Sequence, residues 1–230
     1  TCASSGLSSQ GSHQVTIGGF ADNFLAQFDA SGQRVWCSYF GGNGAEGAYP
    51  VMTIDAQNHV YLSGVTFSSN NIASPGASRT VYSNSVDGYL TCFNDLGTRL
   101  WGTYIGPDYP YGGFYVSGLT TGHCGNSVYI TGDVYPSVNI MPTADAYRNV
   151  PPGGSFDWAL LRYTTDGSMD YSSYLGGTNT DNVMGISMSE EGSLYLAGIT
   201  ESDTGIATSE SYQPVFSGGQ DACLLKMLDV

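Results

Sequence analysis

Basic residues are scarce in this chain: six Lys and Arg stand against twenty Asp and Glu, a formal charge of −14. Phosphate backbones and anionic lipid surfaces are repelled by such a field, so nucleic acid is not an expected partner. Charge is thin altogether, at 11% of residues, and the acidic excess is expected to be spread out and to serve solubility. No run approaches the roughly 20 apolar residues of a membrane-spanning helix. No charged and apolar leader precedes Thr1. A mature secreted protein and a piece of a longer one would both begin this way, so this start does not argue for the cytoplasm.

Chemistry-bearing motifs are missing too. The five cysteines, Cys2, Cys37, Cys92, Cys124 and Cys223, form no CxxC pair, which argues against zinc. They allow at most two internal disulfides, and each reads as a small buried hydrophobe or half of a long-range bridge. There is no GxSxG, no serine, histidine and acid set in a strand-to-helix context and no phosphate loop, so no catalytic residue is expected. His13, His59 and His123 fall near turns of successive units and are not expected to converge on a metal.

What is present is glycine and tyrosine, 32 and 17 residues, a mixture suited to short strands and tight turns and to almost no helix. A chain of 230 residues can bury roughly 70% of its unfolded surface without staples. Self-similarity then sets the architecture. Val15–Gly19, Val60–Gly64, Val128–Gly132 and Leu194–Gly198 alternate as half-buried strands and end in glycine. A following strand begins at Asp22, Asp87, Asp157 and Asp221, at spacings of 65, 70 and 64 residues. Turns with Gly32, Gly97 and Gly167 come next, then a strand carrying Trp36, Trp101 and Tyr171 in register, which reads as core between units. A fourth strand precedes each VYLSG-type segment at 51–55, 118–121 and 185–189, with 6–10 aligned to these.

The fold class expected is therefore all-β, a β-propeller of four-stranded antiparallel blades. Four blade repeats occupy about 1–42, 43–107, 108–177 and 178–230, the last lacking its outer strand. The first unit reads as having lost its long loop, because Asp22 follows Gly19 almost at once. The pattern at Gly185–Gly198, Ser209–Tyr212 and Asp221–Met227, matched at Val51–Phe93 and Gly118–Tyr163, resembles the bacterial SBBP β-propeller repeat. That resemblance implies a secreted or bacterial cell-surface protein, often multidomain, with no common activity and a ring of seven blades. Four blades can also close a small ring, but a share in a larger one is favoured.

Binding by a propeller falls to its loops, here 41–50, 106–113 and 176–185, with the longer 65–86, 133–156 and 199–220. Glu46 and Asp181 each stand five residues after a strand-ending glycine, and Asp108 lies in the corresponding loop. Calcium is the cation their oxygens would suit, although no DxDxDG loop is present and turn carboxylates usually bond their own backbone. Tyr49, Tyr109, Tyr111 and Tyr115, with Phe114, gather at the same connections as a platform for a sugar or a protein, or as wedges between blades. The repeating aspartates, Asp22 and Asp87 among them, read as turn or cap residues. The expected function is a noncatalytic extracellular or cell-surface scaffold that binds a protein partner or assembles through its loop face or an open blade edge. A carbohydrate-binding, lectin-like module is the alternative, and a propeller lyase or hydrolase rests on fold analogy alone.

Overall fold

A computed structural model describes residues 6–47, 50–107 and 113–228, and among them the chain is all β, with no helix. Thirteen strands pair antiparallel in four sheets taken in chain order. Sheet 1 is β1 (Asn23–Phe28) and β2 (Arg34–Phe40). Sheet 2 holds β3 (Val51–Ile54), β4 (Val60–Thr66), β5 (Asp87–Phe93) and β6 (Arg99–Ile105). Sheet 3 holds β7 (Phe114–Thr121), β8 (Ser127–Val134), β9 (Asp157–Thr164) and β10 (Met169–Leu175). Sheet 4 has three strands, β11 (Asp181–Met188), β12 (Ser193–Thr200) and β13 (Asp221–Leu228).

The repeat extends to irregularities. A bulge sits between Gln27 and Phe28, between Cys92 and Phe93 and between Met169 and Tyr171, beside the hairpin turn in each case. At those turns Gly32, Gly97 and Gly167 all take positive φ. Two of these glycines have a second reason to lack a side chain. A Cβ on Gly97 would lie 2.8 Å from the Trp36 ring, and one on Gly167 2.8 Å from the Trp101 ring. Each indole reaches from its own sheet across the next sheet's turn, where Trp36 Nε1 donates to the Asp95 carbonyl at 3.0 Å and Trp101 Nε1 to that of Thr165 at 2.8 Å.

Sheets stack through the alternating faces of their strands, which is how a two-residue period buries both sides of a sheet. On the strand that opens with aspartate, the third residue on faces forward: Leu25 joins Leu62, Tyr89 and Phe93, Leu90 joins Phe114 and Ile130, and Leu160 joins Leu194 and Leu196. The second residue on faces back, as Tyr89, Ala159 and Cys223 do. Each of the three junctions thus has its own hydrophobic cluster.

The first unit differs from the sequence expectation. No strand forms over 6–10 or 15–19. Those residues are the long loop itself, docked along β2: Ser9 N–H donates to Cys37 and Tyr39 N–H to Gln14. The loops of sheets 2 and 3 dock in the same way, Ser74 onto Gly102 with Tyr104 onto Arg79, and Thr143 onto Ser172 with Tyr174 onto Arg148. Gln14-Val15-Thr16-Ile17-Gly18-Gly19 therefore matches the run from Gln213 to Gly218 and not Val60–Gly64. Gly18 and Gly19 are small because the backbone of the next loop approaches them; a Cβ on Gly18 would lie 2.7 Å from the Gly42 carbonyl, and one on Gly19 would fall onto that of Gly44. Among the described residues this unit has two strands, β1 and β2, and its loop is present.

Candidate functional site

The docked loops end at the buried aspartates, which sit where one sheet meets the next. Asp22, Asp87 and Asp157 are fully buried, as are Glu46 and Asp181 to within a percent. In each unit a loop side chain eight or nine positions earlier approaches the aspartate. Gln14 Nε2 donates to Asp22 Oδ2 at 2.5 Å, Arg79 Nη1 to Asp87 Oδ2 at 3.1 Å and Gln213 Nε2 to Asp221 Oδ2 at 3.2 Å. Arg148, in the same place, opposes with its charge the rise that burial imposes on the Asp157 carboxyl. Loop N–H groups complete the cap, Gly18 to Asp22, Ser83 to Asp87, Gly153 to Asp157 and Ser217 to Asp221. The cap role expected of these aspartates is what the structure shows, in buried surroundings.

Glu46 and Asp181 occupy matching places, as their five-residue offset predicts. Glu46 bridges to Thr66, and Asp181 pairs with Thr200 in the ladder. Glu46 Oε1 accepts from Thr66 Oγ1 at 2.9 Å and Ser68 Oγ at 2.6 Å, while Asp181 accepts from Thr200 Oγ1 and, at 3.0 Å, Ser202 Oγ. The two are thus held by separate sheets. Phe114, paired with Val134, stands at the matching place in sheet 3, where an apolar pair replaces acid and hydroxyl. Asp108, the third carboxylate of the expected calcium set, lies outside the described residues. Among the described residues no group of three His, Cys, Asp or Glu side chains is gathered to hold a metal ion.

Each of these acids instead meets the aspartate of the neighbouring unit. Asp22 faces Glu46 across Gly41, and Asp157 faces Asp181 across Gly176, where a Cβ would lie 2.9 Å from Asp181 Oδ2 and 3.3 Å from Asp157 Oδ1. Burial lifts the Glu46 carboxyl above its ordinary range and the Asp22 charge adds to that, against the pull of Ser68 and Thr66. Burial, then the Asp181 charge, raises Asp157 to about 7. Asp22 Oδ1 and Asp157 Oδ1 are buried without a hydrogen-bond partner among the described residues. Sequence reasoning missed these pairings because partners come from different units; the recurring Gln or Arg eight or nine positions before aspartate was the available signal.

Of the expected aromatic platform, Tyr49, Tyr109 and Tyr111 lie outside the described residues. Tyr115 is half-buried on β7 and makes edge-on contacts with Tyr135 at 6.1 Å and Phe156 at 6.2 Å, themselves 4.5 Å apart. Phe114 is buried in the core, a wedge between sheets and not part of a platform. The histidines stay apart: His59 Nδ1 is 2.9 Å from Asp55, and His13 packs against Phe40 and Phe93, where burial lowers it to about 4. Burial pushes the Cys92 and Cys223 thiols up to about 12, which keeps them protonated at neutral pH.

The end faces complete the inventory. Leu224 and Leu228 on β13 are 69% and 72% exposed, and Phe24 and Phe28 on β1 are 45% and 60% exposed. Leu224 holds the forward-facing position that Leu25, Leu90 and Leu160 fill in the other sheets, and Phe24 the backward-facing one of Tyr89, Ala159 and Cys223. No family model and no curated protein matches the chain.

Proposed function

We propose that this chain is a run of β-propeller blades acting as a noncatalytic secreted or cell-surface scaffold, and that its business is association with further protein through the end faces of its stack. The carrying observation is Leu224: three sheets cover the equivalent leucine with a following sheet, and here the residue is 69% exposed. An apolar side chain of that size gains roughly 1.5–3 kcal/mol when fully covered, and an exposed apolar patch marks a surface that another protein can cover. Phe24 and Phe28 offer the complementary face at the opposite end, so a second copy meets the first head to tail, in the way sheet 1 meets sheet 2 within the chain. Contacts of this heterologous type close into rings or continue as fibres. Resemblance to the SBBP repeat, the acidic charge and the absence of a recognisable catalytic set support the same reading.

Light scattering across a concentration series of the purified chain tests it. Growth of the mass from one chain to a discrete multiple is the expected result, and a compact monomer at every concentration would sink the assembly reading. A second reading, a lectin-like module, is favoured by the Tyr115, Tyr135 and Phe156 cluster, since aromatic faces stack on sugar rings; a silent glycan array removes it.

A further inference from the structure

The three junctions between sheets carry different buried charge. Between sheets 2 and 3, Asp87 is matched by Arg79 and the second acid position is Phe114, so the charges cancel. Between sheets 3 and 4, Asp157 meets Asp181 and has the charge of Arg148 beside it. Between sheets 1 and 2, two buried carboxylates meet, and the arginine position is Gln14, a neutral amide. Among the described residues no basic side chain is bonded to Asp22 or Glu46. Two like charges buried together cannot both stay ionised unless a third group of opposite charge joins them.

The atoms at that junction are arranged to receive one. Glu46 Oε1 is occupied by Thr66 and Ser68, which leaves Oε2 with only the long bond from Gly42 N–H at 3.3 Å. Asp22 Oδ2 is taken by Gln14 and Gly18, which leaves Oδ1 buried and unpartnered. Both free oxygens lie against Gly41 and therefore close to each other: a Cβ on that glycine would fall onto Glu46 Oε2 and lie 2.5 Å from Asp22 Oδ1. The Gln14 amide oxygen is turned to the same place, accepting from Gly41 N–H at 3.1 Å and from Asn71 Nδ2 at 3.3 Å. The donors are hard oxygens only, carboxylate, amide and hydroxyl, and two of them are formally anionic.

The geometry points to a divalent hard-cation site between sheets 1 and 2, with Asp22 Oδ1 and Glu46 Oε2 as its anionic ligands, and calcium as the ion whose size and oxygen preference it fits. Calcium accepts carboxylate and amide oxygens at about 2.3–2.6 Å in flexible geometry, whereas magnesium demands a nearly ideal octahedron. The aspartate comes from one unit and the glutamate from the next, so the ion would fasten the two sheets together. This site shares Glu46 with the sequence expectation but replaces Asp108 and Asp181 by Asp22.

To test it, the full 230-residue chain is stripped with EGTA, and its metal content and Tm are measured at pH 7 with calcium, with magnesium and with neither. One calcium per chain is expected to survive desalting, with a saturable rise in Tm of about 5 °C at roughly a hundredfold excess over Kd, and a smaller rise with magnesium. Glu46→Gln should abolish retention and shift together, while Asp157→Asn, at the other acid pair, should leave both. Asp22→Asn reads the same site should the Glu46 variant not fold. The inference is overturned if the unmutated chain retains no calcium and shows no shift. In that event a fall of Tm with rising pH in chelator that persists in Asp157→Asn and is reduced by Glu46→Gln identifies a shared proton as the third group. It is equally overturned if calcium binding survives both substitutions.

Discussion

Leu224 and Leu160 hold the same place, each three residues after the aspartate that opens its strand, yet Leu160 is fully covered and Leu224 is 69% exposed. Leu160 lies on β9, between β8 and β10 with sheet 4 in front of it, whereas Leu224 lies on β13, the edge strand of sheet 4, with no sheet in front of it among the described residues.

Leu224→Lys therefore separates assembly from folding. An exposed leucine contributes little to the stability of its own sheet, so the Tm of the variant should stay within a degree or two of the parent. The charge it places on the forward face should shift the association midpoint to at least about tenfold higher concentration, read by light scattering. A variant that associates as the parent does would show that the joint lies elsewhere.

Stability in chelator should fall as pH rises across neutrality. Asp157 binds its proton more tightly folded than unfolded, about 7 against an ordinary 3.8, and Asp133, raised to about 6 by burial, acts in the same sense. A group raised in the folded state stabilises it below its unfolded value, and that contribution is lost as pH climbs through the folded one. The window is thus about pH 4 to 7. Asp55, whose carboxyl is lowered by its bonds to His59 and Tyr61 despite its burial, works the opposite way, and its contribution is lost in more acidic solution. Thermal melts should show a higher Tm at pH 5.5 than at pH 8.5. Asp157→Asn should flatten that difference, because its amide can donate to Asp181 at any pH.

Two glycines of equal backbone conformation should differ in what they tolerate. Gly32 has φ +80° and open space around a Cβ, whereas Gly167 has φ +89° with the Trp101 ring 2.8 Å away. Gly32→Ala carries only the left-handed penalty, about 1 kcal/mol. Gly167→Ala must also displace the indole and its bond to Thr165, for a loss of about 2–3 kcal/mol in urea unfolding. Equal losses at the two sites would show that the tryptophan contact adds nothing.

The strands that open with aspartate and those that follow the turns were legible because they repeat in register and are buried on alternating faces, so composition and period agree. Val15–Gly19 misled for a physical reason. Alternation followed by glycine describes a strand end, but it also describes a loop pressed against another backbone, and contacts such as the Gln14 to Asp22 bond and the backbone bonds to β2 distinguish them. The equivalence of Glu46 and Asp181 could be read from a local offset. Their partners could not, since Asp22 and Glu46 come from different units and meet only once a loop has docked and two sheets have stacked. Tyr115 could be named as aromatic and loop-proximal, but its neighbours Tyr135 and Phe156 arrive from the far ends of a long loop, a distance that no strand period encodes.

The tryptophans give the stack a direction. Trp36 and Trp101 each bond into the turn of the sheet that follows, so a sheet leans on its successor through a contact the successor does not return in kind. Loosening then travels unequally: melting a later sheet frees the indole of the one before it, whereas melting an earlier sheet leaves the later sheet's own indole seated. Amide exchange should accordingly follow a one-way order along the chain, in which losing sheet 3 unprotects sheet 2 more than losing sheet 2 unprotects sheet 3.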